Sequence, residues 1–236
     1  MDLLSRVSTA EPSTVTDVGC GPLNSTELLV AKYPAAKIHG FDTSEKMVIA
    51  ARIRLPAQTF EVADVSSWAP DEARDLIFSN AVMQWVPNHN SLLPKLMSFL
   101  KAGGTLAIQM PDNLNEPSHV GMRSAAQSSA WAARLQDADA ERTSILSVGE
   151  YWSILREHAS AVEIWRTTYH HPLVGLDGIV DWFKGTGLLP YLNRLEESEK
   201  EDYLAAYKAY LADHYPVMPD GTVLLAFPRL FIVATR

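Results

Sequence analysis

The sequence predicts an α/β protein built on a doubly wound, mostly parallel, Rossmann-like sheet, and three observations carry that expectation. A β-branched run, Thr14 to Val18, leads into the turn Gly19-Cys20-Gly21 and then into Glu27-Leu28-Leu29-Val30-Ala31-Lys32-Tyr33, apolar at helical spacing. Short apolar runs suited to buried strands then alternate with helical patterns down the first half of the chain. At 236 residues, 47% of them hydrophobic, the chain suffices for one substantial domain with insertions, and it shows no internal repeat or linker.

The turn after the first strand sets the expected ligand. Gly19 and Gly21 allow a sharp turn and close approach of a ligand to the backbone. Asn24 with Glu27 resembles a capping box, which places a helix start near Asn24 and its unpaired N–H groups beside the turn. A dinucleotide loop of the form G-x-G-x-x-G needs a glycine where Asn24 stands. Asp17, two residues before Gly19, would repel a pyrophosphate but suits an ammonium group. S-adenosylmethionine carries an amino group, a carboxylate and no phosphate, so D-x-G-x-G favours it over NAD. Cys20 is the only cysteine, which excludes an internal disulfide and a thiolate zinc cluster; it reads as a small residue in a tight loop.

The remaining elements follow in order. Met1 to Ser13 holds a short amphipathic run ending at Glu11-Pro12-Ser13. Ala36 to Asp42 reads as a second strand, and Asp42 lies at about the 20-residue spacing at which an acid accepts from ribose hydroxyls. The competing reading of Asp42 is helix initiation, since Thr43-Ser44-Glu45 caps a helix through Arg54 with Met47 on its inner face; the ribose role is preferred because strand end and spacing coincide. Gln58 to Val65 is a third strand, with Asp64 and Val65 placed either for an adenine ring or for a turn before Ser66-Ser67. Asp75 to Val82 is a fourth, buried strand running out into Met83-Gln84-Trp85-Val86-Pro87. Leu92, Leu93, Leu96, Phe99 and Leu100 mark a helix that Lys101-Ala102-Gly103-Gly104 stops, and Thr105 to Met110 is a fifth strand. Val162 to Tyr169 alternates as a sixth strand, and Arg229 to Thr235 ends the chain as a seventh. Residues 14–110 thus form the cofactor-binding core of a single domain spanning 1–236. Residues 111–160, with a helical piece from Arg123 to Arg134, and residues 173–222 are helical insertions after strands 5 and 6.

The formal charge of −8 argues against non-specific nucleic-acid binding. No apolar run approaches roughly 18 residues and no charged start with a cleavage site is visible, so a soluble, cytoplasmic protein acting on a small molecule is expected. No metal site is expected, because His170 and His171 are adjacent and no nearby acid completes a ligand spacing.

Asp17 to Gly21, Asp42, Ala63-Asp64-Val65, Asp75 to Ala81 and Leu100 to Gly104 together resemble the class I S-adenosylmethionine-dependent methyltransferases. The resemblance covers about the first half of the chain. It implies a seven-stranded, mostly parallel sheet whose last strand is antiparallel. By position, Asp17, Gly19, Cys20 and Gly21 would meet the methionine part, Asp42 the ribose, Asp64 and Val65 the adenine, and Asn80 and Ala81 the sulfonium, with Thr43 and Met47 as further cofactor-binding residues. Leu23 stands where that family usually has a further glycine, and relatives carry an N-terminal helical segment over the cofactor where this chain starts close to its first strand.

Met83 to Val86, Gln109 to His119, Ile164 to Leu173, Lys184 to Leu188 and Phe227 to Phe231 resemble, more narrowly, the trans-aconitate 2-methyltransferase family. This implies methylation of a carboxylate to a monomethyl ester. A carboxylate is already a nucleophile at neutral pH, so no general base is expected and alignment can supply effective molarities on the order of 10⁵–10⁸ M. Holding a polycarboxylate calls for donors: Gln84 and Trp85 at the sheet end, and His119, Trp152, Tyr169, His170, His171, Lys184 and Arg229 from the later segments. His170 and His171 point to opposite faces of a strand, and His170 with Arg229 is the preferred pair. Lys184 equally suits a solvated position, and one of the Trp165 and Tyr169 sets must be core. A different small-molecule acceptor and a cofactor-binding module without transferase activity are the alternatives. Carbon methylation would need a base, and NAD-dependent oxidoreduction is the remaining rival.

Overall fold

The computed structural model describes residues 1–128, 130–140 and 144–236. The elements in chain order are α1 (Asp2–Ser5), β1 (Thr14–Val18), α2 (Asn24–Lys32), β2 (Lys37–Asp42), α3 (Glu45–Arg54), β3 (Thr59–Val62), β4 (Arg74–Asn80), α4 (His89–Ser98) and β5 (Leu100–Pro111). They continue with α5 (Pro117–Ala126), α6 (Ala132–Leu135), α7 (Val148–Leu155), β6 (Ala161–Val174), α8 (Gly175–Lys184), α9 (Leu189–Leu192), α10 (Glu197–Ala212) and β7 (Thr222–Thr235).

The strands form one seven-stranded sheet in the order β3-β2-β1-β4-β5-β7-β6. The pairs β1–β2, β1–β4, β2–β3 and β4–β5 are parallel. β7 runs antiparallel to β5: the Gly103 N–H donates to Arg236 O at one end, and the Asp112 N–H donates to Pro228 O at the other. β1 is buried along its whole length because it is paired on both edges. The chain leaves β1 toward β2 and β3 on one side and returns to β4 on the other. This reversal of strand order opens a crevice at the carboxyl ends of β1 and β4.

Two compact units emerge. The first comprises Met1–Met110, Ile145–Arg166 and Leu230–Arg236, with Val18, Ile77, Leu93, Leu106 and Ile108 in its core. His89 is buried in it, bonded to Met83 O at 2.9 Å and the Tyr151 hydroxyl at 2.8 Å, which fixes α4 and the preceding turn. The second comprises Pro111–Ser144 and Thr167–Arg229, where Met122, Phe183, Tyr203 and Tyr207 are buried among α5, α8 and α10. Among the described residues no helix is long and apolar enough to cross a membrane.

Several boundaries depart from the sequence expectations. No capping box forms at Asn24: Leu23 is the N-cap, in left-handed conformation at φ 75°, and Glu27 pairs with Arg54 instead. β3 stops at Val62 and β4 at Asn80, because the residues beyond turn into loops. Lys101 to Gly104 do not stop a helix; α4 ends at Ser98 and these residues belong to β5, with Gly103 at φ 78° and its N–H bonded to Arg236. The expected helical piece Arg123 to Arg134 divides into α5 and α6, and its residue 129, like residues 141–143 of the first insertion, lies outside the described residues. β6 runs on to Val174 and β7 begins at Thr222, both longer than their alternation suggested.

Candidate functional site

The loop after β1 is held from two sides. Gly19 sits at φ +65°, and a Cβ there would lie 2.4 Å from Val82 Cγ2, so glycine is required both by conformation and by space. The Cys20 N–H donates to Phe41 O at 2.9 Å, stitching the loop to β2. The Gly21 N–H donates to Asp42 Oδ2 at 3.0 Å, while Asp42 Oδ1 accepts from the Ser44 N–H at 2.9 Å. Ser44 in turn caps α3 by accepting from the Met47 N–H. Asp42 therefore supports the residue that caps α3 and presents its carboxylate at the end of β2.

Asp17 is fully buried beneath this loop. Its Oδ2 accepts from Ser25 Oγ at 3.0 Å and Thr26 Oγ1 at 2.6 Å, which clamps the first turn of α2 onto β1. Burial pushes its carboxyl up to about 6 and the nearby Asp42 adds to this, against the two hydroxyl bonds. Its Oδ1 is buried with no hydrogen-bond partner.

Above the loop lies a cleft of about 680 Å³ within the first unit, at the carboxyl ends of the parallel strands. Gly19, Cys20, Gly21, Asp42, Thr43, Asp64, Val65, Asn80 and Ala81 all line it. Asp17 and Met47 do not: Asp17 is covered by the loop it supports, and Met47 follows the cap of α3. The Cys20 thiol, pushed up to about 12 by burial and by Asp17 and Asp42, stays protonated at neutral pH and is packed, as a small loop residue, beside Leu23, Val48 and Phe60. Asp64 Oδ1 accepts from the Ser66 N–H and Oγ at 2.8 and 2.7 Å, so it forms a turn and lines the cleft at once. Ala81, at φ 59°, is fixed by its N–H to Gln109 O and by its carbonyl, which accepts from Gln84 Nε2 at 2.7 Å. Sequence reasoning missed Phe41, Ser66, Val82, Val86 and Pro87 as lining residues. Adjacency to the strand ends was their only signal, and the contact of Val82 with Gly19 had none.

The expected acceptor residues separate. Trp85 lines the cleft and is 56% exposed. Gln84 is buried and bonded back to Ala81, so it supports the strand end and does not face the cleft. Trp152, on α7 of the first unit, sits with Arg6 and Trp165 on a separate shallow groove, because α7 packs on α4 through its other face. In the second unit, His119 is buried edge-to-face against Phe183 at 4.9 Å, a packing position. Lys184 is exposed and paired with Asp181 at 2.8 Å, one turn back along α8. Arg229 lies over the Tyr169 ring, its Cζ 5.5 Å from the centroid, and over Phe227 at 5.2 Å. The preferred pairing of Arg229 with His170 is not what forms. The burial alternation along β6 leaves His170 exposed and puts His171, half-buried, on the Tyr169 face. Trp165 stacks on Phe231 at 4.9 Å in the first unit.

Residues 16–108 match the model of a family described as methyltransferase domain. Over 235 residues the chain is 55% identical to trans-aconitate 2-methyltransferase of Methylobacterium nodulans, covering all of this chain and 91% of that protein. Its fold is similar to that of the YcgJ protein from Bacillus subtilis, with a TM-score of 0.65 at 13% identity, covering 100% of this chain and 96% of the other. It is also similar in fold to phosphoethanolamine N-methyltransferase 2 of Haemonchus contortus in complex with S-adenosyl-L-methionine, with a TM-score of 0.58 at 15% identity, covering 99% of this chain and 51% of that one.

Proposed function

The chain belongs to the trans-aconitate 2-methyltransferase family, and on that premise we propose that it is an S-adenosylmethionine-dependent methyltransferase that converts a carboxylate of trans-aconitate to its methyl ester. The identity of more than half of its residues over the whole chain carries the choice of acceptor.

The cleft suits S-adenosylmethionine. Asp42 is held by two backbone N–H groups and keeps further lone pairs for the ribose hydroxyls. The N-terminus of α2 offers N–H groups to a carboxylate, and the Gly19–Gly21 turn leaves the backbone open to close approach. Asp17 Oδ1, an orphaned buried acceptor, adds negative potential below the loop where an ammonium is favoured. Bound there, S-adenosylmethionine supplies a sulfonium methyl group, which an acceptor carboxylate takes up without a general base.

The residues of this chain therefore bind and orient. Asn80 and Ala81 form the wall at the end of β4, and the bonds from Ala81 to Gln109 and Gln84 hold that wall in place. Trp85, Val86 and Pro87 give the cleft an apolar rim that limits water. Arg229 with Tyr169 supplies charge and a hydroxyl for an acceptor carboxylate, a pairing supported by the position of the guanidinium over the ring. It acts as a cytoplasmic enzyme on a small acid, and the net charge of −8 disfavours non-specific binding to nucleic acid.

The test is an acceptor panel, comparing trans-aconitate with a dicarboxylic and a monocarboxylic acid, with products identified by mass spectrometry. A singly methylated trans-aconitate formed in preference to the others is expected. Turnover of none of the three, with cofactor binding intact, would contradict the assignment.

A further inference from the structure

His171, one of the candidate donors for a polycarboxylate, is singled out by its surroundings. β6 alternates, so Tyr169 and His171 share a face, their rings 6.5 Å apart and inclined by 22°. Trp182 of α8 lies 4.7 Å from the imidazole and Phe227 of β7 lies 5.9 Å from it. These two rings form the walls of an aromatic box that also holds the Arg229 guanidinium, which rests on Tyr169 and Phe227. Within that box His171 Nε2 is buried and has no hydrogen-bond partner. Buried polar atoms in native folds are nearly always satisfied, and an exception needs a partner such as an ordered water, an ion or a ligand group. The charged groups that act on His171 are Arg229 and His170, both basic. An acidic or cationic ligand group would meet very different receptions here, and only the anion finds both a positive field and a donor.

We propose that His171, with Arg229 and Tyr169, recognises a carboxylate of the acceptor and so makes the enzyme selective for a polyanionic acid. This rests on the transferase reading above and extends it to a residue that reading leaves out. Burial, together with Arg229 and His170, holds the imidazole below its usual range, so it is neutral at pH 7 and keeps one N–H to donate. Arg229 supplies the charge and the planar donor fork, while His171 supplies a donor fixed by aromatic packing on two sides. A polycarboxylic acid presents more than one carboxylate to such a pair, whereas a monoacid presents one. His170, exposed on the opposite face of β6, makes no contact in this box and acts on His171 only through its field.

The experiment uses the full chain and two substitutions. His171→Phe keeps a ring against Trp182 and removes both ring nitrogens; His171→Gln restores an N–H donor. Calorimetric titration with trans-aconitate in the presence of S-adenosylhomocysteine, alongside steady-state kinetics, should show His171→Phe binding about tenfold or more weakly, the loss of one hydrogen bond to a charged group. KM for trans-aconitate should rise in step, KM for S-adenosylmethionine and the melting temperature should stay at wild-type values, and His171→Gln should recover most of the affinity. Wild-type affinity and KM in His171→Phe would overturn the proposal. Wild-type binding without turnover, lost in His171→Phe, would overturn the transferase reading while supporting the role of His171, so the two fail separately.

Discussion

The Gly21 N–H donates to Asp42 Oδ2 at 3.0 Å, so the turn after β1 and the end of β2 are one hydrogen-bonded unit before any ligand arrives. The same carboxylate accepts from the Ser44 N–H at the start of α3. Removing it therefore does more than remove a ribose acceptor.

Asp42→Ala should weaken binding of S-adenosylmethionine about 10- to 100-fold, the range expected when hydrogen bonds to a charged group are lost. It should also lower the melting temperature, because two backbone donors lose their partner. Isothermal calorimetry and a melting curve read the two effects. Unchanged affinity would remove Asp42 from the site.

Gly19→Ala places a Cβ 2.4 Å from Val82 Cγ2 in a left-handed backbone. The loop must shift, and cofactor affinity should fall by at least about tenfold, as one hydrogen bond's worth of misplacement suffices to produce. Adding Val82→Ala removes the two colliding methyl groups and should restore part of the affinity, leaving a tight 3.2 Å approach to the residue 82 Cβ and a backbone strain of about 1 kcal/mol. No recovery in the double variant would show that the strain, not the collision, decides.

Asp17 offers a pH signature. Its carboxyl is pushed up to about 6 from 3.8, so the folded state holds the proton more tightly than the unfolded state. Its destabilising contribution is absent below about pH 4 and complete above about pH 6. Asp17→Asn keeps an acceptor for Ser25 and Thr26 and removes the charge. It should stabilise the protein at pH 7, by up to about 3 kcal/mol for a shift of this size, and by little at pH 4. Denaturant unfolding of both proteins at the two pH values measures the difference. An equal effect at both would contradict the assignment.

Leu23 sets two effects against each other. Its left-handed backbone, at φ 75°, costs about 1 kcal/mol. Its side chain is buried with Val48, Ala51 and Phe60, and losing a buried leucine costs about 2–5 kcal/mol. Packing wins, so Leu23→Gly should destabilise by about 2 kcal/mol in chemical denaturation, with the loop fold kept. A gain in stability would mean that strain dominates.

Much of this was legible in the sequence where local patterns carry the chemistry. The succession of strands along the chain, the glycine turn, Asp42 at the end of β2 and Asp64 just past β3 follow from apolar periodicity and from residues adjacent in the chain, and the cleft lies where strand order reverses. Contacts between distant residues were not legible. Nothing in the chain announces that Val82 faces Gly19, that Asp17 is spent on Ser25 and Thr26 under the loop, or that Glu27 leaves the cap for Arg54. The acceptor residues were read least well, because side chains such as Trp152, His119 and Lys184 look like ligands until packing and exposure are known. Strand alternation separates His170 from His171, but only the neighbours on β7 and α8 say which one has company.

The most direct measurement is transfer of label from methyl-labelled S-adenosylmethionine to trans-aconitate, followed by mild base. A labelled acid ester is expected, its label released as methanol on base treatment. Label that survives base would mean methylation at carbon or another stable position, and would contradict carboxylate O-methylation without a general base.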